Sequence, residues 1–307
     1  MNAKSFLTLV RRETWEHRSL VWVPAITALF IVIATLLSSN VSGSVRFELD
    51  GESADFFARL ATDPVDQAKL FSIWMGALGI PVLVVAIIVL YFYLLDALYA
   101  ERKDRSILFW KSMPVSDTAT VMSKLVTALI AVPIWVWLVS LVMGLLTFAI
   151  IAVKVAGTPL APLGNFHAGA WLVLQLTFFQ NLLIGALWYA PVAGWLLLIS
   201  VWAKRAPFLW AVLPPALTAL FEEMIFNTEY VAHLIGYRLM HYFEAVKMTF
   251  HVESDAAPST IFDSIRDTYE RMSAAPLLGE LHLYTGLLVT VGLVFAAIRL
   301  RRWRDDA

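Results

Sequence analysis

The stretch of sequence that decides the fold is Trp74–Leu95, WMGALGIPVLVVAIIVLYFYLL, in which none of the 22 residues is charged. A helix of this length is about 33 Å long, because each residue adds about 1.5 Å. The hydrocarbon core of a bilayer is about 30 Å thick, so about 20 apolar residues suffice to cross it. The stretch therefore predicts a membrane-spanning helix.

Five further stretches meet the same criterion. They are residues 20–37, 125–153, 171–202, 207–226 and 284–298. The stretches at 125–153 and 171–202 are longer than one bilayer thickness, so we expect tilted helices or extensions beyond the lipid. The sequence thus predicts an all-α membrane protein in which residues 20–307 form a single domain with six transmembrane helices.

The composition of the whole chain agrees with this prediction. Hydrophobic residues make up 60% of the sequence and charged residues 15%, and the mean hydropathy is +0.73. A soluble domain carries about 25% charged residues. Disorder, nucleic-acid binding and a soluble catalytic domain are therefore excluded as the main function. The chain has no cysteine, which excludes disulfides and thiolate metal sites.

Lys and Arg are unevenly distributed between the polar segments. Fifteen of the 23 lie in four short segments, at residues 1–19, 96–124, 203–206 and 299–304. The alternate connections at 40–70 and 222–281 carry six and ten acidic residues, against three and four basic ones. Because basic residues concentrate in cytoplasmic loops, both termini are predicted to be cytoplasmic, as six spans require.

Residues 1–19 mix apolar and charged side chains and predict a helix lying on the cytoplasmic membrane surface. A mobile tail is one alternative. A cleaved signal peptide is another, but the apolar run of about 18 residues that follows exceeds the usual 7–15.

A second cytoplasmic segment, Ala100–Lys124, reads AERKDRSILFWKSMPVSDTATVMSK. Charged residues of both signs are followed by a short apolar cluster that Pro114 ends, a pattern that predicts a short amphipathic helix at the membrane surface. Ser116 is predicted to cap the third span, with Asp117 in its first turn. A simple loop is the alternative.

The segment 227–281 is the longest connection that is expected outside the cell. Tyr230–Phe250 has helical apolar spacing, and Ile261–Met272 predicts a second helix, so together they predict a small helical cap. A metal-like cluster lies in the first helix, at Glu229, His233, His241 and Glu244. The two histidines are eight residues apart and share a face only loosely, which favours a solvated helix face over a metal site.

Polar residues and prolines inside spans mark candidates for a transport pathway or gate, because both are costly in a membrane helix. The candidates are Gln180, Asn181, Pro214, Pro215, Glu222 and Glu223. The adjacent prolines are predicted to break or sharply bend the fifth span. Helix–helix hydrogen bonding is the alternative for the amides, and contact with interfacial water is the alternative for the carboxylates.

Sequence motifs for catalysis and nucleotide binding are missing. The chain has no G-x-x-x-x-G-K-[ST], no H-E-x-x-H and no G-x-S-x-G. It is therefore predicted not to be an enzyme and to bind no cofactor itself.

Two stretches resemble ABC-2 type transporter permeases. The region Asp96–Lys124, with its Glu-Arg-Lys-Asp start and its Ser-Met-Pro-Val-Ser turn, resembles the segment after the second span of that family. The run Ala186–Pro215, ALWYAPVAGWLLLISVWAKRAPFLWAVLPP, also resembles bacterial members. The six-span layout agrees, so the resemblance covers nearly the whole chain. Arg105 stands where the family usually has Gly.

The resemblance implies the permease subunit of an ATP-driven exporter in a bacterial inner membrane. Such permeases pair as dimers, with an identical or a related chain, and each binds one separate ATP-binding-cassette subunit that holds ATP and Mg²⁺. Two copies of that ATPase are thus expected in each complex. Membrane lipid is a further partner, and nucleic acid is not expected.

The resemblance also assigns roles to segments. The helix Glu101–Met113 would dock into the ATPase, residues 3–18 would help to hold it, and the 227–281 segment would cap the exit. Substrate would pass between two permeases along the first, second and fifth spans. The expected coupling residues are Glu101, Arg102, Lys103, Asp104, Arg105, Phe109 and Trp110.

The expected substrate is amphipathic or hydrophobic, because the spans offer mostly aromatic and aliphatic surface. Two other functions stay open from the sequence. One is an ATP-independent secondary transporter, which would need ionisable relays or an inverted repeat. The other is an intramembrane metal-dependent enzyme, which would need converging catalytic groups at depth.

Overall fold

The computed structural model describes residues 3–38, 64–107, 115–157, 161–246 and 272–303, together with Ser112, Tyr269 and Glu270. Within these residues the chain is helical and contains no strand. In this part of the chain, six helical segments are long and apolar enough to cross a membrane. The prediction of an all-α, multi-span membrane protein is therefore confirmed.

We number the helices in chain order. They are α1 (Ala3–Glu16), α2 (Ser19–Leu37), α3 (Pro64–Asp96), α4 (Tyr99–Lys103), α5 (Asp117–Val126), α6 (Val132–Val155), α7 (Ala168–Trp188), α8 (Ala190–Trp202), α9 (Pro207–Phe226), α10 (Tyr230–Ala245) and α11 (Leu281–Trp303). A five-residue π-helix, Thr127–Ala131, joins α5 to α6, so that these three elements form the third span.

The predicted span at 171–202 consists of two helices, α7 and α8, which meet at Tyr189. Pro191 explains the interruption, because it has no amide hydrogen and cannot bond to the carbonyl of Leu187. The amide of Tyr189 donates to the carbonyl of Gly185 at 2.8 Å, and α7 ends there. The excess length of this stretch is therefore divided between two helices.

The sequence predicts a break or a sharp bend in the fifth span; α9 is continuous across Pro214 and Pro215, so the helix does not break there. Pro215 leaves the carbonyl of Ala211 without its usual helical donor. The indole Nε1 of Trp195 in α8 donates to that carbonyl at 3.0 Å. The Thr218 hydroxyl bonds to the carbonyls of both prolines. The Trp195 side chain thus replaces the backbone bond that Pro215 removes.

The main apolar core lies between α2, α3, the third span, α8 and α11. Its fully buried members include Leu20, Val82, Val121, Leu197 and Ala297. Small residues allow α8 and α11 to approach closely: a Cβ added at Gly194 would lie 3.3 Å from Leu293. Such small residues are common where membrane helices pack, because apolar surface alone gives no preference for protein over lipid.

The helix α1 and the end of α11 lie at one end of the bundle, which we call the terminal end. Glu13 of α1 and Arg301 of α11 belong there to one group of charged residues. The opposite end, which we call the cap end, holds α10 and the 3₁₀ turn Ala275–Gly279. An even number of spans requires this arrangement, and the cytoplasmic location of the terminal end stays a prediction.

Candidate functional site

The short helix α4 is fastened to the end of α8 at the terminal end. The Ser200 hydroxyl accepts the backbone amides of Leu98 and Tyr99, both at 3.0 Å, and so caps the start of α4. In return, Arg102 Nη2 donates to the carbonyls of Ser200 and Ala203 at 2.8 and 2.7 Å. Each helix end thus satisfies backbone groups that the other leaves free.

Glu101 of α4 connects two other helices. Its Oε2 accepts from Arg301 Nη1 of α11 at 2.7 Å, and its Oε1 lies 3.0 Å from Lys124 Nζ of α5. Arg301 also donates from Nε to Asp117 Oδ1 at 3.1 Å. All of these groups lie at the terminal end, and Glu101, Lys124 and Arg301 are buried.

Lys124 extends the same group of charges to α1. Its Nζ donates to both carboxylate oxygens of Glu13, at 3.1 and 2.9 Å. The hydroxyl of Tyr93 donates to Glu13 Oε2 at 3.1 Å, and Arg12 Nη2 donates to Oε1 at 3.0 Å. Glu13 and Lys124 are both 0% exposed.

We call Glu13, Glu101, Asp117, Lys124 and Arg301 the charge network. Its three carboxylates face Lys124, Arg301 and, at the edge, Arg12, so the charges balance. Removing one partner from a buried ion pair costs about 3–5 kcal/mol, because the remaining charge stays buried without compensation. The charge network therefore holds α1, α4, α5 and α11 together as one unit.

His17 lies beside the charge network, with its ring 4.8 Å from that of Tyr93 in an edge-on contact. Burial lowers the pKa of His17, and the positive charge of Lys124 acts in the same direction. His17 is thus neutral at pH 7, and its uncharged ring packs where α1 meets α2.

The structure divides the predicted coupling residues into two sets. Glu101 and Arg102 are buried and bonded to the bundle, whereas Lys103, Asp104 and Arg105 are exposed. Arg105 has a φ of 55°, in the left-handed region that glycine adopts without steric cost. Arginine, which has a Cβ, adopts this conformation at a steric cost.

Phe109 and Trp110 lie outside the described residues, as do Met113 and Pro114. The predicted capping of the third span is confirmed, because the Ser116 hydroxyl accepts the amide of Ala119 at 3.2 Å. Sequence reasoning missed Glu13, Lys124 and Arg301. No local signal marked Glu13 or Arg301, because both lie in sequence beside other charged residues, Arg12 and Arg302.

Two of the predicted pathway residues, Gln180 and Asn181, bond α7 to residues 272–274, which precede the 3₁₀ turn of the cap end. Asn181 Nδ2 donates to the Met272 carbonyl at 2.6 Å, and its Oδ1 accepts the amide of Ala274 at 2.8 Å. Gln180 Nε2 donates to the Ser273 hydroxyl at 3.1 Å. This geometry favours the alternative in which amides hold helices together.

Glu222 has a similar fastening role. Its carboxylate accepts the amides of Tyr230 and Val231, at 2.9 and 2.7 Å, and so caps the start of α10. Glu223 is exposed, and Pro214 and Pro215 continue α9 as described above.

The histidines of α10 do not converge on a metal site. His241 Nε2 lies 2.9 Å from Glu280 Oε1, and Tyr237 donates to Glu280 Oε2 at 2.9 Å. Burial acts to raise the pKa of Glu280, but the bonds from His241 and Tyr237 outweigh it and lower that pKa. No group of three candidate ligands that could hold a metal occurs in the part of the chain that the structure describes.

A cleft of about 500 Å³ opens between α2, α3 and α9 near the terminal end. We call it the side cleft. It is lined by aromatic residues of α3 and α9, with one carboxylate at its mouth. Its members include His17, Phe92, Asp96, Tyr99 and Phe208. An aromatic wall beside a charged mouth suits an amphipathic molecule.

The other side of α9 has little contact with its own chain. Ala211 is its single buried residue, and Met224 and Phe226 are 70% and 71% exposed. Such a span lies either in lipid or against a second polypeptide. Comparisons of the chain with protein-family models, curated proteins and solved structures found no match, so its function must be argued from its own residues and geometry.

Proposed function

We propose that the chain is the permease subunit of an ABC-2 type exporter in a bacterial inner membrane. A separate cassette subunit hydrolyses ATP, and the chain converts that event into outward movement of an amphipathic or hydrophobic substrate. The observation that carries the proposal is α4, which has an exposed charged end and a buried face bonded to α5, α8 and α11.

The arrangement of α4 allows a force on its exposed end to be transmitted to the helices that are bonded to its buried face. A partner that pushes on Lys103, Asp104 and Arg105 acts on a helix whose Glu101 and Arg102 are bonded to the spans behind it. Because buried ion pairs are costly to separate, the helices of the charge network move together rather than one by one. The push on α4 thereby reaches α1, α5 and α11.

In the proposal, the side cleft holds the substrate and α9 contacts the second permease. The side cleft lies along the first, second and fifth spans, where the resemblance to ABC-2 permeases predicts the substrate path. The exposed face of α9 is where we place the second permease. The cap, fastened by Asn181 and Glu222, then covers the exit.

A secondary transporter has less support. Asp, Glu, Lys and Arg residues in the described spans lie near helix ends, so these spans offer no chain of carboxylates and bases across the bilayer. An intramembrane metal enzyme would need ligands that the described residues do not bring together.

Co-purification from native membranes, followed by an ATPase assay, tests the proposal. We expect the wild-type chain to retain a cassette ATPase, and the Lys103→Glu/Asp104→Lys variant to lose it or its stimulation. The Lys204→Glu/Arg205→Glu variant, which changes exposed charges outside α4, is the matched control. Replacing Phe109 and Trp110 with Ala is predicted to uncouple ATPase activity as well. A wild-type chain that recovers no such ATPase would contradict the proposal.

A further inference from the structure

A second cleft, of about 660 Å³, lies between α1, the start of α2, the π-helix and α6. We call it the tryptophan groove, after Trp15, Trp22 and Trp135 in its walls. Apolar residues of α6, among them Leu138, continue its floor toward the bilayer interior, and Arg18 lies at its rim. It is separate from the side cleft, which opens on α3 and α9.

The walls of the tryptophan groove combine rigidity with exposed aromatic surface. Trp135 Nε1 donates to the carbonyl of Val21 at 3.0 Å, which fixes that ring between α6 and α2. Trp15 and Trp22 are 63% and 60% exposed. Tryptophan side chains are enriched where a membrane meets water, because the ring is apolar and the N–H is polar.

Arg18 lines the tryptophan groove, and Arg11 lies beside it against Trp15. The Arg11 guanidinium lies 4.7 Å from the ring centre of Trp15, and Arg18 is exposed. The acidic residues of α1 are already engaged, since Glu13 belongs to the charge network and Glu16 pairs with Arg12 at 3.1 Å. Two arginines therefore present their charge to a ligand at the edge of the membrane.

We propose that the tryptophan groove binds one anionic phospholipid. The phosphate and the acidic headgroup bind to Arg11 and Arg18, and one acyl chain lies against Trp22, Trp135 and Leu138. The cationic rim and the apolar floor match a ligand that carries negative charge at one end only. A soluble anion would use the arginines alone, and an uncharged apolar helix would use the apolar floor alone. The inference does not depend on the proposed transport function.

Binding can be measured on the purified full chain in detergent. Phosphatidylglycerol or phosphatidylcholine, each with brominated acyl chains, is titrated while tryptophan quenching and lipid adducts in native mass spectrometry are recorded. We expect tighter binding of phosphatidylglycerol. Arg11→Gln/Arg18→Gln should weaken it roughly 30-fold, about fivefold for each charge lost near a membrane surface. Binding of phosphatidylcholine should change little.

Arg299→Gln is the matched control, because Arg299 is also an exposed arginine stacked on an aromatic ring, with its guanidinium 5.1 Å from Phe295. It should bind phosphatidylglycerol as the wild type does. Melting temperatures show whether each variant is folded. The proposal would be overturned if the wild type bound the two lipids equally. It would also be overturned if Arg299→Gln lost as much phosphatidylglycerol binding as the double variant, or if soluble glycerophosphoglycerol displaced phosphatidylglycerol. A Trp22→Cys variant that forms dimers through that cysteine would also overturn it, because a second chain would then occupy the groove.

Discussion

Lys124 is completely buried between the carboxylates of Glu13 and Glu101. Replacing it with Met would leave the three carboxylates of the charge network facing only Arg301 and Arg12, so that one buried negative charge is uncompensated. We expect Lys124→Met to destabilise the protein by about 3–5 kcal/mol, measured by unfolding in detergent. Lys204→Met, at an exposed position, should stay within about 0.5 kcal/mol of the wild type. Equal effects of the two substitutions would show that the charge network does not hold the helices together.

The neutral His17 predicts a pH dependence at the terminal end. Its pKa in the folded chain is lowered by burial and by Lys124, with Glu13, Asp96 and Glu101 acting in the opposite direction. As the pH falls, His17 is therefore protonated in the unfolded chain, at about pH 6.5, before it is protonated in the folded chain. The neutral His17 therefore adds to the free energy of unfolding above about pH 6.5, and this contribution is lost as the pH falls through the pKa of His17 in the folded chain.

Hydrogen exchange of α1 at pH 7.5 and pH 5.5 measures this effect. We expect lower protection factors at the lower pH in the wild type, after correction for the slower intrinsic exchange of amides at that pH. His17→Phe keeps an aromatic contact with Tyr93 but cannot be protonated, so its pH dependence should be smaller. An unchanged pH dependence in that variant would exclude His17 as the cause.

At the scale of elements, α9 depends on a bond from another helix. Trp195→Phe removes the donor to the Ala211 carbonyl and should cost about 1–3 kcal/mol, because a buried acceptor is left unsatisfied. Pro215→Ala restores a backbone amide that can bond to the same carbonyl. In the Pro215→Ala background, Trp195→Phe should therefore cost clearly less. Additive effects in this double-mutant cycle, measured by unfolding, would contradict the role we give to Trp195.

The apolar surface of α9 leads to a prediction about association. The chain has no cysteine, so single cysteines can be introduced without further changes. Leu213 and Leu220, seven residues apart in α9, are 50% and 56% exposed. We expect Leu213→Cys or Leu220→Cys to crosslink to a second permease in native membranes. Leu288→Cys on α11 is the control and should not. Crosslinking from Leu288 alone would place the interface elsewhere.

At the scale of the whole molecule, hydropathy was sufficient to predict the helical class and the number of spans. A long uncharged run such as Trp74–Leu95 is long enough to cross the bilayer as a helix, and few other structures would bury so much apolar surface. The division at Tyr189 was not predicted, although Pro191 was a visible signal, since membrane helices often continue through proline. Continuity at Pro214 and Pro215 depends on Trp195, which lies in another helix.

The candidate site was less predictable than the fold. The charged start of α4 was identified from its own sequence, but the partners of Glu101 come from residues 23 and 200 positions away. Local patterns do not reveal which helix ends meet. For the same reason the sequence alone marks Gln180, Asn181 and Glu222 as pathway candidates, whereas their bonds fasten the cap.

The most direct test of the account is the location and partner of the exposed end of α4. A Lys103→Cys chain is treated with a membrane-impermeant thiol reagent in intact cells and in inverted membrane vesicles. The account predicts labelling in the inverted vesicles only, and a crosslink from Cys at this position to a cassette ATPase. Labelling of intact cells would place α4 on the outer side and contradict the proposed coupling to ATP.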